Sequence, residues 1–194
     1  MKLQWRQLWE SYGSLAAIVA VIVALMWFSY ARVDLPRSGR GSAGAPSVAT
    51  AGAPAPEAIF VTLDGKPVSL SSFRGKRVMF WVFATWCPSC VAGAQEMERN
   101  NEQLQDLTII GVGTYGNAGF DGPSVGEFAE TFAPSLLSAK NWIWGDLPQE
   151  ATLTYNPRNL PDIYFLIDEE GMIQDIDTAP AATIRKILDF ANGK

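Results

Sequence analysis

The 194-residue chain has no histidine and only two cysteines. Without histidine, a Ser-His-Asp or Cys-His machine, a His-ligated zinc or copper site and a His-bound haem are all excluded. Two cysteines do not close a four-thiolate metal site either. Positive charge is scarce as well: 15 Lys and Arg stand against 20 Asp and Glu, a formal net charge of −5. A surface that tracks nucleic-acid phosphates needs clustered basic side chains, so no nucleic-acid partner is expected. The shortage of disulfides is no obstacle to folding, because a domain of this length can bury a sufficient core without staples.

The charge is unevenly placed. Residues 1–56 carry Lys2, Arg6, Arg32, Arg37 and Arg40 against Glu10 and Asp34, whereas residues 57–194 carry ten basic and eighteen acidic side chains. Behind the short N-terminal segment 1–10, residues 11–31 contain no charged side chain. As a helix such a run spans about 31 Å, roughly one bilayer hydrocarbon core. Trp5, Trp9 and Tyr12 precede its apolar centre and Trp27 and Tyr30 follow it, as in the interfacial belts of a retained anchor. A secretory signal cleaved after Ser29-Tyr30-Ala31 is the alternative. Basic residues flank the run on both sides, so the positive-inside count does not orient it. Residues 32–56 are rich in Pro, Gly, Ser and Ala and read as a tether, which leaves residues 57–194 as the folded domain.

Within that domain the pattern predicts a β-hairpin, Ile59–Leu63 and Val68–Leu70, around Asp64-Gly65-Lys66-Pro67. Val78–Ala84 is an unbroken apolar run of the kind buried on both faces. A helix from Cys87 to Leu104 follows, weakened in its first turns by Gly93. The remaining elements are a strand Leu107–Val112, a helix Ser124–Phe132 opened by a Ser-x-x-Glu box, a short strand Asn141–Trp144 and a short helix Leu147–Leu153. A strand Ile163–Ile167 then turns back through Met172–Ile176, and the helix Thr183–Ala191 closes the chain. This alternation predicts an α/β fold, a central sheet with helices on both faces. Trp142, Trp144 and Tyr155 are expected in its core.

The chemistry centres on Trp86-Cys87-Pro88-Ser89-Cys90, where strand gives way to helix. A helix N-terminus favours the thiolate of Cys87, the nucleophile in disulfide exchange. Cys90, one turn in and less exposed, is placed to resolve the mixed disulfide. As a structural staple the pair would close a loop too short to stabilise by more than about 2 kcal/mol. As a metal site it lacks ligands, so no metal and no cofactor beyond the redox-active pair is expected.

These residues, with Phe73-Arg74-Gly75-Lys76, Phe83-Ala84-Thr85-Trp86 and Leu160-Pro161-Asp162-Ile163-Tyr164-Phe165-Leu166-Ile167-Asp168, resemble the membrane-tethered thioredoxin-like thiol-disulfide oxidoreductases of the TlpA, ResA and CcmG kind. The resemblance covers about residues 57–192. It implies a thioredoxin-like fold with a central mixed sheet and an N-terminal hairpin. It implies a cis bond before Pro161 in a loop facing the cysteines, with the backbone of Leu160 free to pair with an extended substrate. Trp86, Pro88, Leu160 and Pro161 would then contact substrate. The implied role is reduction or isomerisation of disulfides in extracytoplasmic proteins, possible substrates including apocytochromes in cytochrome c maturation. Electrons would come from a membrane donor of the DsbD or CcdA type. The cysteine chemistry, where the charge count does not decide, places the domain outside the cytoplasm, on the periplasmic side of a bacterial inner membrane, held by a single span.

The chain departs from that pattern where mechanism is concerned. Gly93 stands where many of these proteins have an acid, and Trp81 where thioredoxin has a buried aspartate, so the proton acceptor for Cys90 is unassigned. Glu96 fits a solvated helix face better. Ser89 replaces the histidine of oxidase-type relatives, which favours a reductant or isomerase. Gly111-Val112-Gly113-Thr114-Tyr115-Gly116 matches a dinucleotide-binding pattern, but helix-breaking residues follow where the pyrophosphate would need a helix. Two competing functions remain, a non-catalytic membrane-anchored interaction module and a peroxide reductase, and the latter lacks its Pro-x-x-x-Thr-x-x-Cys frame.

Overall fold

The computed structural model describes residues 48–194. The expected N-terminal segment, the membrane run at 11–31 and most of the tether lie outside these residues. Among the described residues no helix is long and apolar enough to cross a membrane.

Seven strands form one sheet: β1 (Ile59–Thr62), β2 (Pro67–Ser69), β3 (Val78–Phe83), β4 (Thr108–Gly113), β5 (Trp142–Asp146), β6 (Asp162–Ile167) and β7 (Ile173–Asp177). Their order is β2-β1-β5-β4-β3-β6-β7. The central three, β5, β4 and β3, are parallel to their neighbours within the group. β6 and β7 are antiparallel on one flank and the β1–β2 hairpin on the other, so the sheet is mixed as expected. Four helices cover it: α1 (Pro88–Arg99), α2 (Val125–Phe132), α3 (Gln149–Tyr155) and α4 (Ile184–Ala191).

β3 shows why the sheet is buried on both sides. All six of its residues are buried, and successive side chains point to opposite faces. Met79, Trp81 and Phe83 join Cys90, Ala94, Met97, Phe128 and Ile187 in one core, under α1, α2 and α4. Val78, Phe80 and Val82 join Phe60, Ala151, Tyr155 and Phe165 in the other, under α3 and the hairpin. Trp142, Trp144 and Tyr155 are core residues, at most 6% exposed.

Several boundaries differ from expectation. The first helix ends at Arg99, because Asn100 caps it with a side-chain bond to the Glu96 carbonyl (2.8 Å), and Asn101–Leu104 continues as a tighter 3-10 turn. Gly93 is a packing device here, since a Cβ at this position would lie 3.3 Å from Pro180 Cδ. The capping box of α2 is present, with Glu127 N donating to Ser124 Oγ (3.3 Å) and Ser124 N to Glu127 Oε2 (2.8 Å). The glycine pattern after β4 enters a left-handed turn at Gly116, Asn117 and Ala118, with φ of 60°, 50° and 57°, and the next α-helix starts only at Val125.

The tether is shorter at its C-terminal end than composition suggests. Gly52 N donates to Ile173 O (2.8 Å), Ile173 N to Ala53 O (2.9 Å) and Ala55 N to Gly171 O (2.9 Å). Ala49 is buried and bonded through its N–H to Thr154 O (3.0 Å). Small side chains let this backbone lie against the turn into β7 and its first residue, Ile173, whose N–H and carbonyl it satisfies.

Candidate active site

Cys87 is the N-cap of α1, with extended backbone (φ −82°, ψ 122°), and Pro88 occupies the first helical turn. Proline is suited there, because its missing N–H would have no intrahelical partner and its φ is already helical. Both cysteines are free thiols. They are not equivalent: Cys90 is fully buried, and its Sγ donates to the carbonyl of Pro161 at 3.0 Å. Cys87 is 4% exposed and lies beside Trp86, which is 36% exposed. Trp86 is held by its indole N–H to Asn117 O (2.7 Å) and packs on the exposed Phe120 with ring centroids 4.8 Å apart. Pro88 is exposed on the same turn.

The Pro161 loop faces the cysteines as expected, but its details are corrected. No peptide bond among the described residues is cis, so the Leu160–Pro161 bond is trans. The sharp turn is supplied instead by Asn159, in the left-handed region at φ 52°. The buried Asn156 then clamps the next residue, Nδ2 donating to Leu160 O (2.7 Å) and Oδ1 accepting from Leu160 N (2.8 Å). Both backbone groups of Leu160 are therefore occupied, and neither is free to pair with a substrate strand. The carbonyl of Pro161 points inward, accepting from Ala84 N (2.8 Å) and from Cys90.

A group that sequence reasoning left without a role completes the site. Asp162, the first residue of β6, is 5% exposed. One of its carboxylate oxygens lies with the two sulfurs in a cluster whose members are all within 4.8 Å of one another. Its Oδ1 accepts from Trp81 Nε1 (2.8 Å), and its Oδ2 accepts from Ser89 Oγ (2.9 Å) and Ala179 N (3.2 Å). Ser89 Oγ is in turn 3.0 Å from Cys87 Sγ. Burial pushes the Asp162 carboxyl above the usual carboxylate range, opposed by the three donated bonds. Burial also pushes the Cys90 thiol up, and the negative charge of Asp162 and the nearness of Cys87 add to this. With its oxygens committed to protein donors, Asp162 serves the thiols as a neighbouring carboxylate and not as an open ligand. Glu96, by contrast, pairs with Arg99 on the solvated face of α1, as expected.

The local signal for Asp162 was its place directly after the proline that faces the cysteines. What concealed it was the partner: Trp81 occupies the strand position where an acid was sought, and its indole reaches across to the acid on the adjacent strand.

Beside the motif lies a cavity of about 590 Å³ lined by Thr85, Thr114, Asn117, Phe120 and Asp146 among others. Burial raises the Asp146 carboxyl. The buried hydroxyls of Thr85 and Thr114 have no hydrogen-bond partner among the described residues.

Comparison with known proteins places the chain among thiol-disulfide oxidoreductases. The family model described as Redoxin matches residues 50–189. The thiol-disulfide oxidoreductase ResA of Geobacillus kaustophilus is 33% identical over 132 residues, 66% of this chain and 68% of that protein. The thioredoxin-like protein YneN of Bacillus subtilis is 30% identical over 128 residues, 64% of this chain and 69% of that protein. Among solved structures, a thiol:disulfide interchange protein of the thioredoxin family from Chlorobium tepidum shares the fold, with a TM-score of 0.52 at 24% identity over 73% of this chain and 97% of the other.

Proposed function

The chain belongs to the redoxin family and is a thiol-disulfide oxidoreductase, and we propose that it acts as a membrane-tethered reductant of disulfides in extracytoplasmic partner proteins. In this reading Cys87 attacks one sulfur of the substrate disulfide, forming a mixed disulfide and expelling the first substrate thiolate. Cys90 then attacks the Cys87 sulfur, the bond from Cys87 to substrate breaks, and the second thiolate leaves. Two electrons pass from the cysteine pair to the substrate, and the two thiol protons end on its sulfurs.

The inequality of the two thiols carries the assignment. Cys90 is sealed in and donated to Pro161 O, whereas Cys87 caps the helix beside an exposed aromatic pair. Trp86, Pro88 and Phe120 form an exposed apolar surface suited to the segments flanking a substrate disulfide. Reducing direction is favoured because, among the described residues, neither sulfur has a cationic side chain as hydrogen-bond partner and Asp162 adds negative charge beside Cys90. A dithiol whose thiolates are poorly stabilised gives up its electrons more readily.

Tethering is supported by the uncharged run 11–31 with its flanking aromatics. It would hold the domain on the periplasmic face of a bacterial inner membrane, near a donor of the DsbD or CcdA type and near substrates such as apocytochromes.

The reduction potential of the Cys87/Cys90 pair tests the direction. A value near that of thioredoxin, about −270 mV, is expected, and one near about −120 mV would make the protein an oxidant. Trapping with C90S in membranes tests the rest. The expected product is a mixed disulfide through Cys87, formed in the membrane fraction and labelled by reagents that do not cross the inner membrane. Labelling confined to the cytoplasm, or recovery of the protein cut at Arg32, would overturn the placement or the tether.

A further inference from the structure

We propose that Ser89 and Asp162 form a proton relay for Cys87, in which the Ser89 hydroxyl passes the Cys87 thiol proton to the Asp162 carboxylate as the thiol attacks. The inference rests on Cys87 being the attacking thiol and goes further by assigning where its proton goes.

The geometry is a continuous line of polar atoms, Cys87 Sγ to Ser89 Oγ at 3.0 Å and Ser89 Oγ to Asp162 Oδ2 at 2.9 Å. A serine hydroxyl has one hydrogen and two acceptor lone pairs. An ionised carboxylate accepts only, so the hydrogen of Ser89 is committed to Asp162. What Ser89 turns toward Cys87 is therefore a lone pair, and the thiol hydrogen points to it. Two short hops complete the transfer: the thiol proton moves to Ser89 Oγ while the hydroxyl proton moves to Asp162 Oδ2. The products are a Cys87 thiolate, a neutral Asp162 and an unchanged serine.

Burial makes Asp162 a better proton acceptor than a solvated carboxylate. At 5% exposure its charge is poorly hydrated, and a group whose ionised form is disfavoured accepts a proton readily. The carboxylate is enclosed by Trp81 of β3, Ser89 of α1 and Ala179 of the loop before α4, so Ser89 is its link to Cys87. The titratable groups facing it are Cys87 and Cys90. Of the charged groups of β7 and α4, Asp175 and Asp177 pair with Lys186, and Arg185 and Asp189 are the others. Asp162 returns the proton through Ser89 to the first substrate thiolate, expelled beside the Cys87 sulfur, and is again a carboxylate, next to the Cys90 thiol, when the second step begins.

The test is the pH profile of iodoacetamide alkylation at Cys87 in the reduced full-length chain, read by mass spectrometry of the Cys87 peptide. The wild type should show two steps, one following Asp162 and one following direct loss of the thiol proton. S89T keeps the hydroxyl and should keep both steps. S89A leaves Asp162 in place but should show a single step, with the rate at neutral pH reduced about tenfold, at or below the lower end of general acid–base contributions. D162N should lose the same step. A profile for S89A that superimposes on the wild type, equal behaviour of S89A and S89T, or a surviving step in D162N would overturn the relay. Because alkylation uses no protein substrate, this outcome is separable from the failure of C90S to trap a partner.

Discussion

The indole N–H of Trp81 lies 2.8 Å from Oδ1 of Asp162, a bond between neighbouring strands that holds a buried carboxylate against both cysteines. It replaces water that the carboxylate loses on folding. A hydrogen bond to a charged group contributes about 1.5–3 kcal/mol. Trp81→Phe should therefore destabilise by about 2 kcal/mol at neutral pH, and by less at low pH where Asp162 is neutral. Denaturant unfolding at several pH values checks this, and a loss that does not vary with pH would assign the effect to packing alone.

Asp162 also gives a signed pH dependence. Its folded-state affinity for protons is raised relative to the unfolded chain, so the folded state binds more protons in the window above the ordinary carboxylate value. Stability from this group is present at low pH and is lost as pH rises through that window. D162N should flatten this part of the profile; an unchanged slope would mean that Asp162 titrates alike in both states.

Cys90 behaves the same way at higher pH. Its thiol is pushed up in the fold by burial first, whereas an unfolded cysteine ionises near about 8.5. Reduced protein should lose up to about 1.4 kcal/mol per pH unit from this group above that value, and C90A should remove the dependence. Thermal unfolding of the reduced chain and of C90A between neutral pH and about pH 10 measures the difference.

Asn156 is nearly inaccessible and supplies both partners of Leu160. Removing it leaves an N–H and a carbonyl unpaired beside the cysteines, at a cost of about 2–3 kcal/mol. N156A should also loosen the Pro161 carbonyl that holds the Cys90 thiol, so Cys90 should become reactive to alkylating reagents. Unaltered protection of Cys90 would show that the loop is held by other contacts.

Gly145 lies where β5 meets β1. A Cβ there would sit 2.2 Å from the carbonyl oxygen of Val61, and backbone cannot move aside as a flexible side chain can. G145A should destabilise by about 1–3 kcal/mol and open the hairpin, with amide exchange rising in β1 and β2 while β3 and β4 stay protected. Uniform exchange through the sheet would mean that the hairpin and the central strands open together.

Much of this protein is written locally. The apolar run of β3 predicts a strand buried on both faces because side chains alternate every residue, whatever lies nearby. The cysteine spacing predicts a helix-capping thiol and a deeper partner, because one helical turn sets both positions. Ser124 and Glu127 announce α2 by a bond that spans three residues. These features need no knowledge of distant chain. Tertiary structure alone decided the rest. Residues 48–56 look like spacer until Ile173 and the turn into β7 offer partners for their backbone. The Leu160 backbone looks free until the buried Asn156 side chain turns back on it. Asp162 is an ordinary acid at the start of a strand until Trp81, 81 residues earlier, and Ser89, 73 residues earlier, close around it. The charge and proton affinity of a carboxylate depend on what surrounds it, and those surroundings are assembled only when the strands pair.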